Sequence, residues 1–162
     1  MKRAGGSELR AFLGAFSPEI AQIAPRLRSL VLEEAPGSNE FIYDASNAVA
    51  MSYGLTERPS DAFCHIAVYS GWVNLGFHRG SRLPDPDGLL EGTGRWIRHL
   101  RMASLDDLRR PFVGRFLRAA IKAAPQPEGK TGKRSEPRSV VRGVYAKKRQ
   151  PIKPTRKKKE DA

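Results

Sequence analysis

The stretch Ala62-Phe63-Cys64-His65-Ile66-Ala67-Val68-Tyr69-Ser70-Gly71-Trp72-Val73-Asn74-Leu75-Gly76-Phe77-His78 decides the fold. Cys64, Ile66 and Val68 alternate against Phe63, His65 and Tyr69, and Val73, Leu75 and Phe77 again share one parity. Alternation with period two marks strands whose two faces meet different surroundings. Ser70-Gly71 suits a two-residue turn, so 62–69 and 72–78 read as a β-hairpin. Cys64 has the parity of Ile66 and Val68 and is expected to be a small buried apolar residue. It is the single cysteine of the chain, which excludes an intrachain disulfide.

Working outward, Phe41–Asp44 and Ala48–Gly54 are two further short strands, the second closed by Thr56-Glu57-Arg58-Pro59-Ser60. Arg79–Gly94, with Pro84, Pro86 and four glycines, reads as a loop holding one helical turn at Leu89-Leu90. Arg95–Met102 is the fifth strand. Helices flank this block. Ser7 is expected to cap a first helix over Glu8–Ala15, with Leu9, Phe12, Leu13 and Phe16 at helical spacing. Ser17-Pro18-Glu19 opens a second: a cap, a proline at the first position and an acid facing the dipole. Ile20, Ile23, Leu27, Leu30 and Val31 form its stripe, Pro25 predicts a bend or break, and Ala35-Pro36-Gly37 ends it. Ser104, Asp106 and Asp107 start the last helix, striped by Leu105, Leu108, Phe112, Phe116, Leu117 and Ala120. A second internal proline, Pro111, sets its first turn apart, and the helix fades near Ala124.

The chain carries 29 Lys and Arg against 17 Asp and Glu, a formal +12. Residues 123–162 hold 13 basic and 4 acidic side chains, whereas residues 1–122 hold 16 and 13. Beyond Ala124 only Val140, Val141, Val144, Tyr145 and Ile152 are apolar and scattered. Such a segment buries too little to offset an ordering entropy of ~1–2 kcal/mol per residue. The expectation is an α+β fold with N-terminal helices, an antiparallel sheet of about five strands, a C-terminal helix and a disordered basic tail. Its divisions are a helical extension at 1–16, an α+β domain at 17–124 and a disordered tail at 125–162. The run Met1–Gly6 lacks the apolar stretch of a signal peptide. No segment approaches the ~18–20 apolar residues of a membrane span. A cytoplasmic protein with no membrane partner is expected.

Three segments together, Ser17-Pro18-Glu19, "LVLEEAP" at Leu30–Pro36 and above all "EGTGRWIRHLRM" at Glu91–Met102, resemble the YdhG-like family, a domain of unknown function. The likeness covers roughly residues 17–122. It implies a small α+β fold with an antiparallel sheet packed by helices, and it assigns little activity. Some relatives are described as frataxin-like iron chaperones, so iron delivery is the alternative function it implies. Iron needs clustered oxygen ligands, and here the sequence departs from that pattern: the first helices offer only Glu8, Glu19, Glu33 and Glu34, and the folded part is slightly basic.

The glycines of "EGTGR" resemble a phosphate loop, but phosphate loops run from a strand into a helix. Here a strand follows, which favours a tight turn, with Thr93 and Arg95 left as anion contacts. Arg95, His99 and Arg101 share a parity with Ile97, while Arg98 shares that of Trp96 and Leu100. Thr93, Arg95, Arg98, His99 and Arg101 are therefore the candidate binding set for a phosphate or carboxylate, against the alternative of a solvated strand paired to Asp106 or Asp85. His65, His78 and His99 show no zinc-type spacing, so no metal site or cofactor is expected. Asp85, Asp87 and Glu91 read as turn formers rather than acid–base pairs. Neither a GxSxG nor a Ser–His–acid set stands out. Trp72, Trp96, Phe41, Tyr43, Tyr53 and Tyr69 supply either core or an aromatic platform. Lys147, Lys148, Arg149, Arg156, Lys157, Lys158 and Lys159 suit weak, salt-sensitive contact with nucleic acid or another polyanion. The expectation is a non-enzymatic binding or accessory protein for a small anionic ligand or a protein partner.

Overall fold

The computed structural model describes residues 5–45, 48–128 and 136–143. Five strands form an antiparallel meander: β1 (Asn39–Asp44), β2 (Val49–Gly54), β3 (Cys64–Val68), β4 (Val73–Phe77) and β5 (Arg98–Met102). The Ser70-Gly71 turn is closed by the Tyr69 N–H donating to the Trp72 carbonyl at 2.9 Å. A sixth strand, β6 (Ser139–Gly143), lies parallel to β1, giving the order β5-β4-β3-β2-β1-β6.

That strand is a correction. The sheet is mixed and six-stranded, and order returns inside the segment expected to be disordered from residue 125. Five residues are too few to carry a pattern of their own, and the β1 edge supplies the template. Glu40 N–H donates to the Arg138 carbonyl at 2.7 Å, and Arg138 N–H donates to Asn39 Oδ1 at 3.1 Å. Residues 129–135 and 144–162, including every lysine and arginine proposed for polyanion contact, lie outside the described residues.

The helices are α1 (Gly6–Leu13), α2 (Pro18–Ala21), α3 (Ile23–Glu34) and α4 (Pro111–Lys122). Ser7 lies within α1 and donates to Glu8 at 2.9 Å, while Gly5, at φ 92°, takes the cap position. Glycine adopts that left-handed backbone without the Cβ penalty. Ser17 caps α2 as expected, its Oγ accepting from the Ile20 N–H. The break forced by Pro25 falls at Gln22, so that Pro25 sits in the first turn of α3, where its missing N–H costs nothing. Ser104 and Asp107 form a reciprocal capping box on a 3₁₀ turn, Leu105–Arg109, and α4 starts afresh at Pro111.

All four helices lie on one face of the sheet. Leu9, Leu13, Ile20, Ile23, Leu27, Val31, Val113, Phe116 and Leu117 pack with Ile42, Met51, Ile66, Leu75, Phe77 and Leu100 in one core. Leu9 and Leu13 make α1 part of that core rather than an extension to it. Cys64 is buried there, and burial pushes its thiol pKa well up.

One carboxylate lies inside this layer. Glu40 is fully buried and accepts from Arg28 Nε at 2.7 Å and Nη2 at 2.9 Å, from the Tyr53 hydroxyl at 2.7 Å and from Ser139 Oγ at 2.7 Å. Burial alone would raise its pKa, but the bonds from Arg28, Ser139 and Tyr53 outweigh burial and hold it below the usual carboxylate value. The network ties α3, β1, β2 and β6 together.

Candidate functional site

The end of the sheet where β3 starts and β4 stops is not closed by the helical layer. A cleft of about 660 Å³ opens there. Its apolar wall is Phe63, Phe77, Leu83, Ala120 and Ala124, and its polar rim is Ser60, His78, Arg79 and Arg82. Trp96 and Ile97 also line it, and they are the exposed large hydrophobic residues among those described, at 40% and 47%. The Arg82 guanidinium lies 4.8 Å from the Trp96 ring centre and that of Arg95 lies 5.0 Å from it. An indole carrying two cations beside a half-apolar cavity is suited to a flat or apolar body bearing a negative group.

Local geometry explains how the rim is held. The 3₁₀ turn Gly80–Arg82 is pinned to the following segment by Ser81, whose N–H donates to the Trp96 carbonyl at 3.0 Å and whose Oγ donates to the Arg95 carbonyl at 2.9 Å. Gly80 is required there, since a Cβ would stand 2.5 Å from Arg98 Cβ. Gly92, at φ 125°, makes the "EGTG" turn. Arg98 Nη1 donates to the carbonyls of Gly94 and Ile97. The loop thus directs carbonyls at a cation, the reverse polarity of a phosphate cradle. Asp85 accepts from the N–H groups of Leu89 at 2.8 Å and Leu90 at 3.0 Å, so a side-chain turn stands where one helical turn was expected.

The candidate set from the sequence does not converge. The fifth strand begins at Arg98, not Arg95, so the shared parity of Arg95 with His99 and Arg101 has no strand to act through. Thr93 is exposed on the turn, Arg95 lies over Trp96, and Arg98 is spent on its own loop. His99 and Arg101 sit on the sheet face away from the helices, near Glu91. His99 Nε2 lies 3.4 Å from the Glu91 carboxylate and Arg101 Nε lies 4.0 Å from it. Arg79 and Arg82 were not singled out from the sequence. Neither shows periodicity, and the Gly80 close approach together with the Ser81 hydrogen bonds places them at the cleft.

The histidines form a second group. His65 and His78 rings meet edge to face at 5.1 Å, and burial, helped by His78 and His99, lowers the His65 pKa to about 4. Among the described residues no group of three His, Cys, Asp or Glu side chains is placed to hold a metal ion. None of the described helices is long and apolar enough to cross a membrane. No family model, curated protein or solved structure matches the chain.

Proposed function

We propose that this chain is a cytoplasmic YdhG-like domain protein that binds a small amphipathic anion without chemical conversion, and that its basic C-terminal residues add weak polyanion affinity. The observation that supports the reading is the cleft itself: an exposed indole flanked by Arg82 and Arg95, opening over an apolar wall. Two cations beside Trp96 match a carboxylate or phosphate at the mouth, while Phe63, Phe77 and Ala124 accept an aromatic or aliphatic body. His78, on the same rim, has its pKa lowered by burial and is neutral at physiological pH, so it offers hydrogen bonds rather than charge.

The test is a thermal-shift panel of aromatic and aliphatic carboxylates and phosphate monoesters on the full chain. A ligand at about one hundred times its dissociation constant stabilises by ~2.7 kcal/mol, a shift of several degrees. Arg82→Ala and Trp96→Ala, both at exposed side chains, are expected to remove that shift while leaving the unliganded melting temperature near the parent value. Equal shifts in parent and both variants would remove the cleft from consideration.

A further inference from the structure

The sheet face opposite the helices adjoins the cleft through His78, whose ring meets that of His65. The pairing registers place two rows of side chains across it. One row runs Tyr43, Ala50, Ala67, Asn74, Arg101, and the next runs Phe41, Ser52, His65, Gly76, His99. None of these residues belongs to the core cluster; Phe41, Ala67 and Gly76 are covered by their neighbours, Tyr43, Ala50, Ser52, His65, Asn74 and His99 are partly exposed, and Arg101 is exposed. Ala50 and Ala67 make a low floor between Tyr43 on one side and Arg101 on the other, four strand spacings or ~19 Å apart. At the hairpin end Tyr69 and Trp72, rings 5.3 Å apart, continue the same face, and Arg101 lies 4.5 Å over Trp72. At the β1 edge Arg142, at the bulge of β6, lies 5.3 Å over Phe41. Beside Trp72, its indole N–H and the Asn74 amide oxygen are buried and lack partners among the described residues.

We propose that this open face is a platform for single-stranded nucleic acid, with bases stacking against Trp72, Tyr69 and Tyr43 and the backbone drawn to Arg101 and Arg142. Flat π surfaces next to guanidinium groups are what unpaired bases on a phosphate chain require. Charge complementarity favours this occupant. The chain passes directly from β6, whose Arg142 edges the platform, into residues 144–162, which hold eight basic and two acidic side chains. An acidic membrane surface fits less well, because Ser52, His65 and Asn74 interrupt the apolar floor with polar groups that would have to be desolvated. Base pairs in a duplex hide the faces that Trp72 and Tyr69 would stack on.

The experiment is fluorescence anisotropy of labelled oligo-dT and oligo-rU with the full chain, alongside a duplex of the same length and vesicles containing phosphatidylserine. The single strands are expected to bind more tightly than the duplex. Trp72→Ala and Arg101→Ala are each expected to weaken single-strand binding about ten-fold, with Trp72→Phe restoring most of it. Loss of a phosphate contact in Arg101→Ala lowers the salt slope by about 0.7. Arg101 is exposed on an edge strand, so its variant stays informative even if Trp72→Ala unfolds. The proposal is overturned by equal binding of duplex and single strand with an unaffected Arg101→Ala, by binding to vesicles alone, or by no binding to oligonucleotides.

Discussion

The two faces of the sheet are built from alternate residues of the same strands, and they handle polar groups in opposite ways. On the helix side Ile42, Met51, Ile66, Leu75 and Leu100 are excluded from water, and the one carboxylate among them, Glu40, accepts four hydrogen bonds. On the open side arginine guanidinium groups lie over rings, Arg101 over Trp72 and Arg142 over Phe41, and Phe41 is only 3% exposed. A dry layer tolerates a charge only when every acceptor site is matched. The other face covers aromatic area with guanidinium groups at cation–π distance. The difference separates stability, concentrated on the helix side, from surface left available for binding.

The largest test of that contrast is Glu40→Ala. Removing one member of a buried pair leaves the Arg28 guanidinium without its counter-charge, and such losses run to about 3–5 kcal/mol. Urea denaturation is expected to show a fall of that size, because Tyr53 and Ser139 lose their acceptor as well. Arg101→Ala on the open face is expected to cost under 1 kcal/mol, since its ion pair to Glu91 is long and exposed. Comparable losses at the two sites would erase the distinction.

Next in size is a pH effect from the open face. With a native pKa of about 4 against an ordinary 6.5, His65 takes up a proton in the unfolded chain before it does so in the folded one. Stability therefore falls as pH drops from 6.5 toward 4, by up to ~3 kcal/mol at 1.36 kcal/mol per unit. The groups facing His65 sharpen this loss: His78 meets its ring and His99 lies two strands away on the same row, and neither supplies a negative charge. The carboxylate nearest His99, Glu91, serves that residue instead. Glu40 contributes separately. Its folded pKa is depressed, so its stabilisation is present above the ordinary carboxylate value and is lost as pH falls through the lower, folded one. His65→Gln is expected to reduce the fall between pH 6.5 and 4, leaving the share from His78, whose pKa burial also lowers, and the Glu40 decline below it. An unchanged profile would locate the acid sensitivity elsewhere.

The meander was legible because period-two alternation in Cys64–Val68 and Val73–Phe77 records two unlike surroundings. The Ser17-Pro18 start and the buried Cys64 were legible for equally local reasons. Strand β6 was not, because its stability resides in its partners: Ser139 bonds Glu40, and Val141 packs on a core that local pattern does not display. Glu40 itself had the parity of Ile42, a faint sign that an acid was to be buried, but its partners come from positions 12, 13 and 99 residues away. The cleft escaped for the same reason. Arg82 and Trp96 are brought together by a glycine contact and a serine bridge across a loop, neither of which has a period.

The smallest and most local test is Gly76→Ala. Gly76 pairs with His65 across β3 and β4, and a Cβ there would stand 2.1 Å from His65 Cε1 and 2.3 Å from Nε2. The imidazole therefore lies flat on the β4 backbone, in the space a side chain would take. Insertion of a methyl group forces the ring to rotate, an overpacking cost of about 1–3 kcal/mol. The double variant His65→Ala, Gly76→Ala removes the collision and is expected to recover most of the loss made by Gly76→Ala alone. A double-mutant cycle in denaturant measures that coupling directly. Coupling near zero would mean that the ring has room to turn aside, and that the flat histidine packing on the open face is a preference rather than a constraint.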